Sequence, residues 1–252
     1  MQPYAWTWNE ETLVFVPALA IAYTLAVRRL GAPRWRIACF AAAAFLLIAF
    51  GISPLHQLAL HYLLLVHLLQ NVVLAEWAPL LLVFSLPPVL ARVLVAPPAM
   101  RALTRPVVAM PLWLANYALW HVPWLYDAAL RRPHTLLHLE HLTYLATGVL
   151  MWWPVFQDAP RRLKAGARTI YVFAGFVLAA PIGLVLALVP HAAYATYRQA
   201  PERLWGLSAL ADQQLGGVTM AGEQAIVFFA VFTLWFFRFL AEQEHPDEAS
   251  PL

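Results

Sequence analysis

Seven apolar stretches run along this chain, and each is long enough, or nearly so, to cross the hydrocarbon core of a membrane. A helix that crosses this core takes about 20 apolar residues. Because 62% of the 252 residues are hydrophobic and only 12% are charged, a soluble domain of this size has no means of burying so much apolar surface. The sequence therefore predicts an all-α fold, a polytopic membrane helical bundle with seven transmembrane helices. The predicted spans are residues 12–29, 37–52, 57–79, 107–126, 135–156, 169–190 and 218–240.

Basic residues set the predicted orientation, because cytoplasmic loops of membrane proteins are enriched in Lys and Arg. The odd-numbered connections and the C-terminal end together hold 12 of these residues, and the even-numbered connections hold 4. We therefore expect the N-terminus outside and the C-terminus in the cytoplasm. The domain prediction is a single seven-helix transmembrane domain, residues 1–240, followed by an acidic cytoplasmic tail, residues 241–252. The loop asymmetry also accounts for the net charge of +3, which gives no case for nucleic-acid binding.

Histidines are the main candidates for chemistry. In the predicted orientation eight of the nine lie in the outer half of the spans or in outer loops, and only His245 is cytoplasmic. Neutral imidazole is the commonest metal ligand, and two histidines three residues apart on a helix can converge on one ion. One pair in the fifth span has that spacing, and two further histidines lie at similar predicted depth on neighbouring spans. The sequence thus predicts an outer-leaflet metal site formed by His67, His121, His138 and His141.

In the alternative interpretation, the same imidazoles hydrogen-bond to carbonyl and carboxylate groups and hold helices together. Three polar residues are candidates for an additional ligand or for a group that orients an imidazole: His61, Asn71 and Asp212. His61 lies six residues before His67 and therefore off its helical face, whereas Asn71 lies four residues after it and on that face. Asp212 has a further alternative role as the N-cap of the seventh span.

Two glutamates lie within predicted spans, Glu76 near the inner end of the third and Glu223 in the seventh. A charged side chain at this depth costs about 2.5–3.5 kcal/mol on insertion scales, so such groups face the bundle interior. They are candidates for proton carriers, or they pair with an arginine or are protonated. Two other function classes follow from these polar groups: a proton or ion transporter, and a haem-binding membrane protein in which two facing histidines ligate iron. The single cysteine, Cys39, excludes a CxxCH haem attachment.

The order of motifs resembles one family, the multi-span CtaG cytochrome c oxidase assembly factors of bacteria. The resemblance extends over residues 53–240, and the WWP and DQQLGG segments are its most specific parts. An unrelated copper-insertion family with one span and a soluble domain has the same name, and this chain does not resemble it. The matching segments are SPLH from Ser53, HLLQN followed by APLLL from His67, WHVPWLYDAAL from Trp120, HLEHLTYLATGVLMWWPV from His138 and ADQQLGG from Ala211.

The resemblance implies a non-enzymatic, multi-pass protein of the bacterial plasma (inner) membrane that matures a haem–copper oxidase by handling copper on the outer face. Its implied partners are a haem–copper oxidase subunit and membrane lipid, and a homo-oligomer is compatible with this role. Imidazoles without thiolates suit Cu(II), or Cu(I) at modest affinity, and permit release. By position, the residues that match the family pattern are the four histidines His67, His121, His138 and His141, and Asp212 in the last motif.

One position departs from the family pattern. Four residues after the histidine that corresponds to His67 the family usually has a second histidine, and this chain has Asn71. If that pair is a metal site, this protein has lost a ligand or uses His61 in its place.

Overall fold

The apolar stretches fold as helices, which satisfy every backbone N–H and C=O group within the segment, as a lipid environment demands. The computed structural model describes residues 2–200 and 202–244, and within these residues it contains α-helices and no strand. The all-α prediction is therefore confirmed, while His245 and the rest of the predicted tail beyond residue 244 lie outside the described residues. The helices are α1 Glu10–Leu30, α2 Arg34–Ile52, α3 Pro54–His61, α4 Leu64–Ser85, α5 Pro88–Leu94, α6 Pro98–Leu103, α7 Pro106–Trp120, α8 Pro123–Arg131, α9 His138–Phe156, α10 Ala165–Leu188, α11 Ala195–Arg198 and α12 Ala209–Glu244.

Five helices of the described chain are long and apolar enough to cross a membrane: α1, α2, α4, α10 and α12. They correspond to the first, second, third, sixth and seventh predicted spans. The fourth and fifth predicted spans contain α7 and α9. Of these, α7 has only 15 residues, and α9 opens with the polar sequence HLEH.

The third predicted span, residues 57–79, has the wrong limits. The chain turns at Tyr62 and Leu63, so that α3 ends and α4 begins within the predicted span, and α4 then continues to Ser85. Near its middle α4 contains a π-helical turn, Val73–Trp77, where the N–H of Ala78 donates to the carbonyl five residues earlier. A π-turn inserts one residue into the helix and rotates the side chains that follow it.

The fourth predicted span, residues 107–126, is interrupted near its C-terminal end. Helix α7 ends at Trp120, and α8 begins at Pro123. Proline has no N–H to donate and its ring disfavours a helical residue before it, so the helix stops at this point. His121 lies in the resulting break, at the C-cap of α7.

Helices α10 and α12 pack closely against each other. A methyl group built on Gly217 of α12 would lie 2.6 Å from the backbone N of Ala187 and 2.6 Å from the backbone O of Gly183, both on α10. Small residues permit such close approach of helices in membranes, where packing replaces the hydrophobic driving force. The two helices therefore form a tight pair, and α4, α7 and α9 supply the buried aromatic core beside it, which includes Tyr117, Tyr144 and Trp152.

Candidate functional site

Helix α4 directs a polar face into the bundle. His67, Gln70 and Asn71 lie three and four residues apart, and their side chains are all buried. The Nδ1 of His67 lies 2.6 Å from the hydroxyl oxygen of Tyr197. Because that hydroxyl donates its proton to the carbonyl of Ala59 at 2.6 Å, its oxygen accepts from the imidazole, and His67 carries its proton on Nδ1.

His121 has the same arrangement. Its Nδ1 lies 2.8 Å from the backbone carbonyl of Tyr117, which only accepts, so the proton of this imidazole is also on Nδ1. The ring of Tyr126 is near both histidines: its centroid lies 4.9 Å from that of His67 and 6.3 Å from that of His121. These two predicted ligands from α4 and α7 therefore share one aromatic neighbour.

His138 and His141 of α9 face the N-terminal end of α1. The carboxylate of Glu11 accepts a hydrogen bond from Nδ1 of His141, with 3.1 Å between Oε2 and Nδ1, and the same oxygen lies 3.8 Å from Nε2 of His138. A cavity of about 180 Å³ opens beside these groups, with Asn9 and Gln70 also on its polar side. The spacing pattern that selected the histidines gave no sign of Glu11, because its place beside them depends on how α1 packs.

Three of the four predicted ligands therefore share the same hydrogen-bonding arrangement of the imidazole ring. In His67, His121 and His141 the Nδ1 is held by an oxygen, and the Nε2 is buried without a hydrogen-bond partner among the described residues. An imidazole that ligates a metal commonly donates its other N–H to a carboxylate or a carbonyl, which fixes the tautomer and aims the free nitrogen. The donor chemistry of these three side chains fits a metal such as copper. His138 differs, since its side chain is 30% exposed and its Nε2 is the atom nearest Glu11.

A shared metal ion also requires the donor side chains to lie close to one another. Among residues 2–200 and 202–244, no three His, Cys, Asp or Glu side chains are grouped closely enough to hold one metal ion. Within the predicted four-histidine site, His67 and His121 lie beside Tyr126, and His138 and His141 lie beside Glu11. The individual donors fit a metal, and the structure does not bring the four together around one point.

The three additional candidates have other neighbours. His61 is the last residue of α3, before the turn into α4. The Nδ2 of Asn71 donates to Oε1 of Glu140 at 3.2 Å, which makes this α9 glutamate, fully buried between two predicted ligands, a further member of the site. The sequence analysis did not select Glu140 as a site residue, although a carboxyl group within an apolar span itself indicates a functional interior. Asp212 binds no imidazole: its two oxygens accept hydrogen bonds from the backbone of α4, at Leu64 and Leu65.

Comparison with known proteins gives one family and two relatives. Residues 21–242 match the model of a family described as cytochrome c oxidase caa3 assembly factor (Caa3_CtaG). Two uncharacterized proteins, one from Mycobacterium bovis and one from Mycobacterium tuberculosis, are each 29% identical to the chain over 174 residues. These alignments cover 60% of this chain and 26% of each relative, so the chain spans about a quarter of the length of the curated relatives it matches. No solved structure matches the chain.

Proposed function

Because the chain belongs to the cytochrome c oxidase caa3 assembly factor family, we propose that it is a membrane-embedded copper chaperone for a haem–copper oxidase subunit. In this proposal copper is the cargo and the protein performs no enzymatic reaction. The imidazoles hold the ion at the outer end of the bundle, and the protein releases it to the oxidase subunit. Because the oxidase subunit lies in the bacterial plasma membrane, the proposal places this protein in the same membrane.

The observation that carries the proposal is the common state of His67, His121 and His141. Each presents a buried Nε2 that has no hydrogen-bond partner among the described residues, while its Nδ1 is bound to an oxygen of the protein. Imidazole nitrogen without thiolate suits Cu(II), and it binds Cu(I) weakly enough to allow transfer. His138, on the same helix as His141 and with its Nε2 3.8 Å from the same Glu11 oxygen, is the fourth donor in this proposal.

Copper stoichiometry tests this proposal. Purified protein in detergent is loaded with copper, freed of excess metal, and analysed for bound copper per chain. The variant in which His67, His121, His138 and His141 are all changed to Ala is expected to lose the bound copper. Its matched control carries His134→Ala and His191→Ala, which remove two exposed histidines near the same face and should leave the stoichiometry unchanged.

Two results would contradict the proposal. Equal copper binding by the quadruple variant and the control would show that the histidines do not hold the ion. An intense Soret band in the protein as isolated would favour haem as the bound group. Co-purification of an oxidase subunit with the wild-type protein, reduced in the quadruple variant, is the expected result for the partner.

We also propose that α7 and α9 cross the membrane with the other five helices, which gives seven spans with the N-terminus outside. The asymmetry of basic residues between the loops supports this orientation. In a Cys39→Ser background, a membrane-impermeant maleimide applied to spheroplasts should label Ser208→Cys, before α12, and not Arg161→Cys, between α9 and α10. The reverse labelling pattern would contradict the orientation.

A further inference from the structure

A pair of glutamates lies in the middle of the bundle, away from the histidines. Glu76 is in the π-helical turn of α4 and is fully buried, and Glu223 is on the facing helix α12 and is 8% exposed. The two helices are joined by reciprocal hydrogen bonds between neighbouring residues. Gln224 Nε2 donates to Glu76 Oε1 at 2.6 Å, and Trp77 Nε1 donates to Glu223 Oε2 at 2.6 Å.

No arginine or lysine of the described residues forms an ion pair with either glutamate, so the pairing with arginine that the sequence allowed is not found. Two unpaired carboxylates inside a membrane bundle are very costly, because burial removes the water that stabilises their charge. The groups facing the pair are Tyr117 of α7 and, beyond it, Tyr144 of α9, and neither is cationic. Any positive charge that neutralises the two carboxyl groups is therefore a proton or another bound cation.

The hydrogen bonds of the two carboxyl groups favour a proton. In each glutamate one oxygen accepts an N–H, and the other, Oε2 of Glu76 and Oε1 of Glu223, is buried without a hydrogen-bond partner among residues 2–200 and 202–244. This is the arrangement of a carboxylic acid, whose carbonyl oxygen accepts and whose second oxygen carries a proton to be donated. The fully buried side chain of Gln224, which donates to Glu76, also has an acceptor, Oε1, without a partner among the described residues.

The π-turn places this pair in line with the outer polar groups. Asn71 follows His67 by four residues and Glu76 follows Asn71 by five, and bonds between residues five apart are the ones that the π-turn makes. All three side chains are fully buried, although Glu76 lies within the π-turn and the other two lie before it. The same buried side of α4 therefore carries His67 toward one end and Glu76 toward the other.

We propose that Glu76 and Glu223 form a proton-binding site inside the bundle, in which at least one carboxyl group is protonated at neutral pH. Glu223, as the less buried of the two, is the group through which the proton exchanges. Gln224 and Trp77 hold the accepting oxygens and leave the second oxygen of each carboxyl group for the proton. This site is distinct from the copper proposal and does not depend on it.

Infrared spectroscopy of the protein in liposomes tests the proposal. The difference spectrum of wild type minus Glu76→Gln, or wild type minus Glu223→Gln, is expected to show the carbonyl stretch of a protonated carboxyl group, shifted in D2O. The matched control is Glu10→Gln, an exposed glutamate in the first turn of α1, whose difference spectrum should show only an ionised carboxylate. Glutamine has the shape of glutamic acid, and either single variant carries the test if the other does not fold.

Two outcomes would overturn the proposal. If both difference spectra show only ionised carboxylate bands, the pair holds no proton. If the wild-type protein binds one Mn²⁺ and each variant loses it, the site holds a hard cation in place of the proton. Absence of Mn²⁺ binding together with the acid band in at least one variant's difference spectrum supports the proton.

Discussion

The carboxylate of Asp212, in the first turn of α12, accepts a hydrogen bond from the backbone N–H of Leu64 at the first residue of α4, with 2.8 Å between Oδ2 and N. The other oxygen accepts from Leu65 at 3.0 Å. The first N–H groups of a helix have no partner within the helix, and the residue before α4, Leu63, offers no polar side chain. Asp212 on α12 thus caps the N-terminus of α4, at a residue 148 positions earlier in the chain. Helix α4 is the helix that carries His67.

Removing this cap should destabilise the bundle. Asp212→Ala leaves two buried N–H groups without an acceptor, and the expected loss in the free energy of unfolding is about 1.5–3 kcal/mol. Asp212→Asn keeps one acceptor oxygen and should lose about half as much. Unfolding in mixed micelles measures the difference, with Glu202→Ala, an exposed acid in the connection before α12, as the control. Equal stability of Asp212→Ala and this control would show that the cap contributes nothing.

Glu11 should support copper binding through His141. Its carboxylate accepts the Nδ1 proton of that imidazole, and loss of such an orienting group typically lowers metal affinity about 10–100-fold. Glu11→Ala is therefore expected to weaken copper binding in a competition assay with a coloured chelator. Glu10→Ala, one residue away on the exposed side of α1, serves as the matched control. The same affinity in both variants would remove Glu11 from the site.

The close pairing of α10 with α12 predicts different outcomes for two glycines of one helix. The methyl group of Gly217→Ala would meet the α10 backbone at 2.6 Å, and forcing the helices apart should cost about 1–3 kcal/mol. A methyl group on Gly222 meets no heavy atom within 4 Å, so Gly222→Ala should change the stability by no more than about 0.5 kcal/mol. Thermal unfolding of the two variants side by side measures this difference. A smaller loss for Gly217→Ala than for Gly222→Ala would contradict the packing.

Arg168 should anchor the start of α10. Its guanidinium donates to the carbonyl of Val155 at 3.0 Å, pairs with Asp158, and lies 4.3 Å from the ring centroid of Trp235. Arg168→Ala should lower the free energy of unfolding by about 2–4 kcal/mol, since it removes a charged hydrogen bond and a cation–π contact together.

Arg168→Lys keeps the charge but loses the planar fork, so its loss should be intermediate. Arg161→Ala, in the exposed part of the same loop, is the control and should be neutral. If Arg168→Ala unfolds like Arg161→Ala, the buried guanidinium does not hold the loop.

Much of the fold was accessible from the sequence. Apolar length and composition predicted the helices, and five of the seven predicted spans have the length and apolarity of membrane helices. The limits failed at three places, one of which is the start of the seventh span, because α12 begins at Ala209, nine residues before the predicted residue 218. Pro123 carries a local signal for the break after α7, whereas the break before Leu64 is stabilised by Asp212, which is distant in sequence. Interactions that depend on a distant partner leave no pattern in the local sequence.

The sequence by itself determined the kind of protein and the helix faces: apolar composition requires a lipid environment, and helical spacing places His67 with Asn71 and His138 with His141. Only the tertiary structure decided what each of these groups meets. It brought Glu11 beside His138 and His141, placed Tyr126 beside His67 and His121, and joined Glu76 to α12 through Gln224. The physical reason is that residue spacing fixes the directions of side chains only around the axis of one helix. Contacts between helices depend on how the helix axes pack against each other, and glycines and a π-turn determine this packing at single positions.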